Sequence, residues 1–89
     1  MNRMTIFAGR ATRELARQAC SYLGIELGDI ETTQFKDGEL SVRINNNIRG
    51  TDVFVFQSTP PPAENVLELL IMLDAIKRAS ARRVTAVIP

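Results

Sequence analysis

The segment Phe35-Lys36-Asp37-Gly38-Glu39 places an aromatic ring and two carboxylates close together. An aromatic ring can stack on a planar purine base, and carboxylates can accept hydrogen bonds from an exocyclic amine of that base. The segment also fits a purely structural role, in which Phe35 packs against the domain and Asp37 forms a turn. From residue types alone, the structural role is the more common outcome.

A second candidate is Arg49-Gly50, which could bind an anion because a guanidinium offers several donors to phosphate oxygens. The same pair fits a simple turn with a solvated cation, and the residues give the two interpretations equal weight. The formal net charge is +1, from eleven Lys and Arg against ten Asp and Glu. Any anion binding must therefore be local, and neither nucleic acid nor a membrane is a predicted partner.

Composition and cysteine usage narrow the class of protein. The 89 residues, 45% of them hydrophobic and 24% charged, are typical of one soluble globular domain. A single cysteine, Cys20, and the lack of histidine exclude an intrachain disulfide framework and a zinc-type His/Cys cluster. A reducing, cytoplasmic compartment fits best. Cys20 is expected to face inward as a small hydrophobe, without a catalytic role.

The elements that would position these residues alternate between strands and helices. Residues Thr5 to Ala8 are β-branched or apolar and stop at Gly9, which predicts a strand followed at once by a tight turn. Thr12 is expected to cap a helix with apolar residues at helical spacing, and Gly24 occupies the position of a left-handed C-terminal residue.

A hairpin is predicted to carry the Phe35 to Glu39 segment. Residues 40–44 alternate between apolar and polar, which is typical of a half-exposed strand. Asp37-Gly38 is preferred in tight hairpin turns because both central positions need positive φ. Residues 33–35 are therefore expected to pair antiparallel with residues 40–44.

The remaining elements are expected to lie inside the domain. Residues 53–56 form a continuous apolar run, which predicts a strand buried on both faces. Residues 64–79 predict a helix with apolar residues around nearly its whole circumference, so one side is expected to face the core and another a subunit or domain interface. Asp74 in this helix is expected to be a structural hydrogen-bond partner. Residues 84–88 predict another buried parallel strand.

Several segments together resemble ribose-phosphate pyrophosphokinase, and the likeness covers the whole chain in order and register. They are Phe7-Ala8-Gly9 with Ala11-Thr12 and Glu14-Leu15-Ala16, Phe35-Lys36-Asp37-Gly38-Glu39, Ile48-Arg49-Gly50-Thr51-Asp52-Val53, Val66 through Ala75, and Lys77-Arg78-Ala79-Ser80-Ala81 running on into Arg83 through Pro89.

The resemblance implies an enzyme that transfers the β,γ-pyrophosphoryl group of ATP to the 1-hydroxyl of ribose 5-phosphate with Mg²⁺. The product, phosphoribosyl pyrophosphate, serves nucleotide, histidine and tryptophan synthesis. The implied fold is a phosphoribosyltransferase-like three-layer α/β domain with a mostly parallel sheet and a projecting β-hairpin. The implied assembly is a homo-oligomer, commonly a hexamer. Residues 1–89 would form most of the N-terminal domain, with the C-terminal domain absent from the chain.

The resemblance also assigns an ATP-binding motif. In the family, a Phe, an Asp and a Glu of this hairpin bind the adenine of ATP across a subunit interface. These positions match Phe35, Asp37 and Glu39.

A regulatory anion site is implied as well, used in the family by inorganic phosphate as activator and by ADP as inhibitor. A small polar residue and an arginine of one loop contribute to it, and they match Asn47 and Arg49. Several family members have serine at the position of Asn47. Ser80, near the end of the long helix, is expected to lie near this site.

No catalytic residue and no Mg²⁺ ligand is expected within the chain. The family's further ATP contacts, its metal-binding histidine, its catalytic loop and its Asp-Asp motif follow the segments matched here, so the chain alone is expected to be inactive. One alternative is a non-catalytic regulatory or assembly relative, which the intact hairpin motif disfavours. Another is a stand-alone nucleotide-binding α/β domain, which the buried last strand disfavours.

Overall fold

A computed structural model describes residues 3–89 and arranges them in three layers. The elements are β1 (Met4–Ala8), a 3₁₀ turn (Arg10–Thr12), α1 (Arg13–Leu23), β2 (Ile30–Gln34), β3 (Leu40–Ile44), β4 (Asp52–Phe56), α2 (Glu64–Arg78) and β5 (Arg83–Val87). Strands β1, β4 and β5 form a parallel sheet in that order, and β2 and β3 form a separate antiparallel ribbon. The predicted α/β fold with a projecting hairpin is confirmed, while residues 1 and 2 of the predicted domain lie outside the described residues.

Strand β4 is the centre of the sheet and separates two apolar cores. Val53 and Val55 are fully buried and pack with Phe7 of β1 against α2. Phe54 and Phe56 point to the opposite face, where they pack beside α1 but stay only half-buried. The prediction that β4 is buried on both faces is therefore wrong for the second face, because α1 alone does not cover it.

Helix α1 closes the second core through a narrow apolar stripe. Ala16 and Cys20 are buried against Ile6 and Ala8 of β1. The helix ends as predicted at Gly24, whose φ of 72° is left-handed and whose amide donates to the carbonyls of the last turn. This conformation is one that glycine adopts without the steric cost that a Cβ would add.

Helix α2 lies between the sheet and the hairpin. Leu69, Met72 and Ile76 are buried and join the core that contains Val53 and Val55. The opposite side of α2 exposes Val66, Leu67 and Leu70, and Leu70 is 57% exposed. The described residues thus cover one side of this helix, and the predicted interface on its other side stays a prediction.

The hairpin differs from its prediction in register and in turn type. β2 begins at Ile30, and Gln34 pairs with Leu40, so the strand starts earlier than predicted and ends before Phe35. The connection is a loop over residues 35–39 in which only Gly38, with φ of 86°, has a positive φ. The loop is closed by the Phe35 amide, which donates to the Glu39 carbonyl at 2.8 Å.

Strand β5 pairs in parallel with β4, as predicted, but it is not buried. Its pattern runs from exposed Arg83 to half-buried Val87, with Thr85 and Ala86 exposed. The strand lies at the edge of the described sheet, and only one of its edges pairs. An apolar sequence therefore predicted the strand and its direction but not its burial.

The packing predicts that Ile76 contributes strongly to stability. Replacing this fully buried side chain by alanine is expected to lower the free energy of unfolding of the whole protein by about 2–5 kcal/mol, because lost transfer energy and a cavity add together. Its exposed neighbour Lys77 is the control, with an expected change within about 0.5 kcal/mol on substitution by alanine. Urea denaturation measures both, and equal effects would contradict the packing described.

Candidate functional site

The tip of the hairpin presents the predicted ATP-binding residues to solvent. Phe35 is 52% exposed, so its ring is available to a ligand instead of being packed into the domain. Asp37 and Glu39 are also exposed. The tip therefore brings all three predicted residues together on one loop.

Asp37 has a structural role within this loop. Its Oδ1 accepts a hydrogen bond from the Glu39 amide at 3.0 Å, and the Gly38 amide donates to the Phe35 carbonyl at 2.9 Å. Such a contact between an aspartate and the backbone two residues later is the usual means by which aspartate stabilises a turn. Asp37 thus forms a turn, as the structural interpretation expects, while its predicted contact with ATP stays a prediction.

The predicted regulatory residues meet at the other end of the hairpin. The Gly50 amide donates to the Ser80 carbonyl at 3.0 Å, which joins the loop after β3 to the end of α2. Ser80 has a positive φ of 67°, so the chain turns sharply where the helix ends. The amide oxygen of Asn47 accepts from the Arg49 backbone at 3.2 Å. The structure therefore brings the predicted Asn47, Arg49 and Ser80 into one exposed neighbourhood.

The two predicted sites lie at opposite ends of β3. The tip precedes Leu40, and the loop with Asn47 follows Ile44. A strand of this length spans about 17 Å at 3.3 Å per residue. The two sites are therefore separate, at opposite ends of the strand.

A third polar cluster, which the sequence did not predict, is buried at the carboxyl end of the sheet. Glu68 of α2 and Gln57, directly after β4, are both fully buried. The Glu68 carboxylate accepts from the Arg10 backbone (3.2 Å), Arg10 Nε (3.2 Å), Thr32 Oγ1 (3.0 Å) and Gln57 Nε2 (3.3 Å). Buried charges of this kind are tolerated when paired and fully hydrogen-bonded.

Thr12 belongs to the edge of this cluster. It occupies the predicted N-cap position of α1, but its hydroxyl makes no capping hydrogen bond and donates instead to the Phe56 carbonyl at 2.6 Å. The Gln57 amide oxygen accepts from the Ala11 backbone at 3.3 Å. A Cβ on Gly9 would collide with the Gln57 amide, so glycine is required here by close approach.

Two residues without a predicted catalytic role behave as expected. Cys20 is buried, and burial raises the pKa of its thiol. Asp74 accepts a hydrogen bond from Arg78 one turn later on the exposed side of α2, and this contact raises the pKa of the guanidinium. Neither faces the hairpin tip or the buried cluster.

Within residues 3–89, no group of three or more His, Cys, Asp and Glu side chains is placed so that it could hold a metal ion. Among the helices of the same part of the chain, none is long and apolar enough to cross a membrane.

The chain is similar in sequence to ribose-phosphate pyrophosphokinases. A family profile described as the N-terminal domain of ribose phosphate pyrophosphokinase matches residues 4–89. The chain is 53% identical over 89 residues to the protein named ribose-phosphate pyrophosphokinase of Thermotoga maritima, covering 99% of this chain and 28% of that protein. It is 53% identical over 88 residues to ribose-phosphate pyrophosphokinase 1, chloroplastic, of Oryza sativa, covering 98% of this chain and 22% of that protein.

A solved structure has the same fold. The crystal structure of phosphoribosylpyrophosphate synthetase from Mycobacterium smegmatis matches with a TM-score of 0.92 and 43% identity. The match covers 99% of this chain and 30% of that one. The chain thus spans less than a third of the length of each of these relatives.

The buried thiol of Cys20 can be tested without any ligand. Because its pKa is raised in the folded state, the unfolded state loses the thiol proton first, so the associated stability is present below the ordinary pKa of 9.0 and is lost as the pH rises further. Between about pH 7 and about pH 10 the thermal midpoint should fall more for the wild type than for Cys20→Ala. Parallel curves for the two proteins would contradict a raised thiol pKa.

Proposed function

Because the chain belongs to the ribose-phosphate pyrophosphokinase family and matches its N-terminal domain, we propose that the whole protein makes phosphoribosyl pyrophosphate from ATP and ribose 5-phosphate. In this reaction the 1-hydroxyl of ribose 5-phosphate attacks the β-phosphorus of ATP. The bond from that phosphorus to the oxygen bridging it to the α-phosphate breaks, AMP leaves, and the hydroxyl proton is released. The whole protein is proposed to act in the cytoplasm.

The exposed tip of the hairpin is the observation that carries this proposal for the chain itself. A half-exposed phenylalanine at a loop tip offers one face to a planar base, which is favourable for stacking. The free oxygen of Asp37 and the carboxylate of Glu39 accept hydrogen bonds from the exocyclic amine of adenine. Together these groups bind the end of ATP that does not react, and so orient the phosphates.

The reacting groups are proposed to lie outside these 89 residues. Pyrophosphoryl transfer depends on cations that neutralise the phosphate oxygens, and Mg²⁺ is the proposed cation, held by ligands from the remainder of the protein. The tip projects from its own domain, so it suits an ATP site completed by a neighbouring subunit of a homo-oligomer, with a homohexamer as the proposed assembly. In this arrangement the chain supplies binding and orientation, without a catalytic residue of its own.

The neighbourhood of Asn47, Arg49 and Ser80 is proposed to bind the regulatory anions, inorganic phosphate and ADP. Arg49 is exposed and forms no ion pair with another side chain among residues 3–89. The Asn47 amide oxygen is occupied by the Arg49 backbone, so its Nδ2 group remains free to donate to an anion. A positive side chain with a neighbouring amide donor suits a phosphate group.

The proposed activity is tested by incubating the whole protein with ATP, Mg²⁺ and ribose 5-phosphate and measuring AMP and phosphoribosyl pyrophosphate. The variant Phe35→Ala should raise the KM for ATP at least about five-fold, since stacking on an aromatic ring contributes about 1–3 kcal/mol per base. Tyr22→Ala, at an exposed aromatic residue of α1, is the control and should leave the KM unchanged. A wild type without product would refute the activity, and an unchanged KM in Phe35→Ala would refute the adenine contact.

Regulation by anions gives a separate prediction. Arg49→Ala should raise the phosphate concentration needed for half-maximal activation at least about ten-fold, because a hydrogen bond to a charged group contributes roughly 1.5–3 kcal/mol. Arg17→Ala removes another exposed arginine, on α1, and should leave activation as in the wild type. Titration of activity with inorganic phosphate distinguishes the two variants, and equal effects would show that the charge acts only through the overall field.

A further inference from the structure

The hairpin is attached to the rest of the domain mainly by apolar contacts. Ile30 belongs to the core beside α2, and Val42 and Ile44 pack against it while staying partly exposed. Apolar contacts of this kind favour burial but have no preferred direction. They hold the ribbon against the helix but define its position along the helix less sharply than a hydrogen bond does.

One hydrogen bond between the hairpin and α2 is directional, unlike the apolar contacts. Thr32 Oγ1 donates to Glu68 Oε2 at 3.0 Å, and among residues 3–89 this is the one hydrogen bond that joins a strand of the hairpin to α2 or to the parallel sheet. Thr32 is the middle residue of β2 and is paired with Val42, the middle residue of β3. The contact therefore acts at the centre of the ribbon.

Glu68 is itself fixed to the carboxyl end of the sheet. Its remaining hydrogen bonds come from the backbone and Nε of Arg10, just after β1, and from Gln57, just after β4. The glutamate side chain is 1% exposed, so solvent does not compete for these contacts. Ligands of open α/β sheets bind beyond the carboxyl ends of the strands, at the edge where this cluster lies.

We propose that Glu68 and Thr32 are positioning residues for nucleotide binding: their hydrogen bond sets the hairpin tip with Phe35 at a fixed distance from the carboxyl edge of the sheet. Phe35 follows Thr32 by three residues, or about 10 Å along the strand. A small slip of the ribbon along α2 therefore moves the ring and the carboxylates of the tip together. This inference rests on the proposed role of the tip in binding adenine.

The test is Thr32→Val in the whole protein, which removes the hydroxyl while keeping a β-branched side chain of similar size. The KM for ATP should rise about five- to twenty-fold, while the KM for ribose 5-phosphate and kcat stay within about two-fold. Thr32→Ser keeps the hydroxyl and should restore the wild-type KM. Thr33→Val makes the same substitution at the exposed neighbouring residue and should have no effect.

A second measurement does not depend on activity. Spin labels on Lys36→Cys at the tip and Lys77→Cys near the end of α2 report their separation by pulsed electron resonance, with labelled subunits diluted by unlabelled ones. The distance distribution should broaden in Thr32→Val and remain narrow in Thr32→Ser and Thr33→Val. Thr32→Ala, which removes the same hydroxyl, replaces Thr32→Val if that variant does not fold.

The two measurements separate the two proposals. A wild type that makes no phosphoribosyl pyrophosphate refutes the proposed function, while the distance distributions still decide whether Thr32 positions the tip. A wild-type KM for ATP together with a narrow distribution in Thr32→Val overturns the positioning role. An equal rise in KM in Thr33→Val also overturns it, because that residue is exposed.

Discussion

The domain is organised around two fully buried polar side chains, Gln57 and Glu68. Removing a carboxylate from water costs several kcal/mol unless charge and hydrogen bonds replace the lost hydration. The donors to the Glu68 carboxylate come from three separate segments: the turn after β1, the end of β4 and the middle of β2. The relative placement of sheet, helix and hairpin is therefore constrained by the requirement to satisfy one carboxylate. The same requirement explains why the chain has glycine at position 9, where a Cβ would displace the Gln57 amide.

Local patterns predicted the elements well because their causes are local. The β-branched runs, the stop at Gly24 and the alternation over residues 40–44 reflect backbone preferences and the two faces of a strand. Burial depends on what covers a surface, and this is why the prediction was wrong for β5 and for the Phe54 side of β4. From the sequence, Glu68 is recognisable only as a charged residue within an apolar helix. Its partner Arg10 is 58 positions away, so no local pattern connects the two. The cluster could have been suspected from a charged residue on the inward face of α2, but its partners could not have been identified.

Local patterns likewise predicted only part of the candidate sites. Residue types alone favoured a structural role for Phe35 and Asp37, and the structure shows an exposed ring and a turn-forming carboxylate on one loop. The resemblance supplied the ligand, which no local pattern could. Asn47, Arg49 and Ser80 are grouped by the backbone contact between Gly50 and Ser80. The surfaces proposed to recognise phosphate and purine are therefore separated by one strand.

The position of Thr32 at the middle of the ribbon has a mechanical consequence. The base of the hairpin is fixed beside β1, where the Gly28 amide donates to the Ile6 carbonyl at 2.7 Å. The Thr32 hydroxyl lies about 7 Å beyond Ile30 and about 10 Å before Phe35 along the ribbon. The contact to Glu68 therefore acts between the fixed base and the tip, so a displacement that it prevents is one that Phe35 would otherwise share.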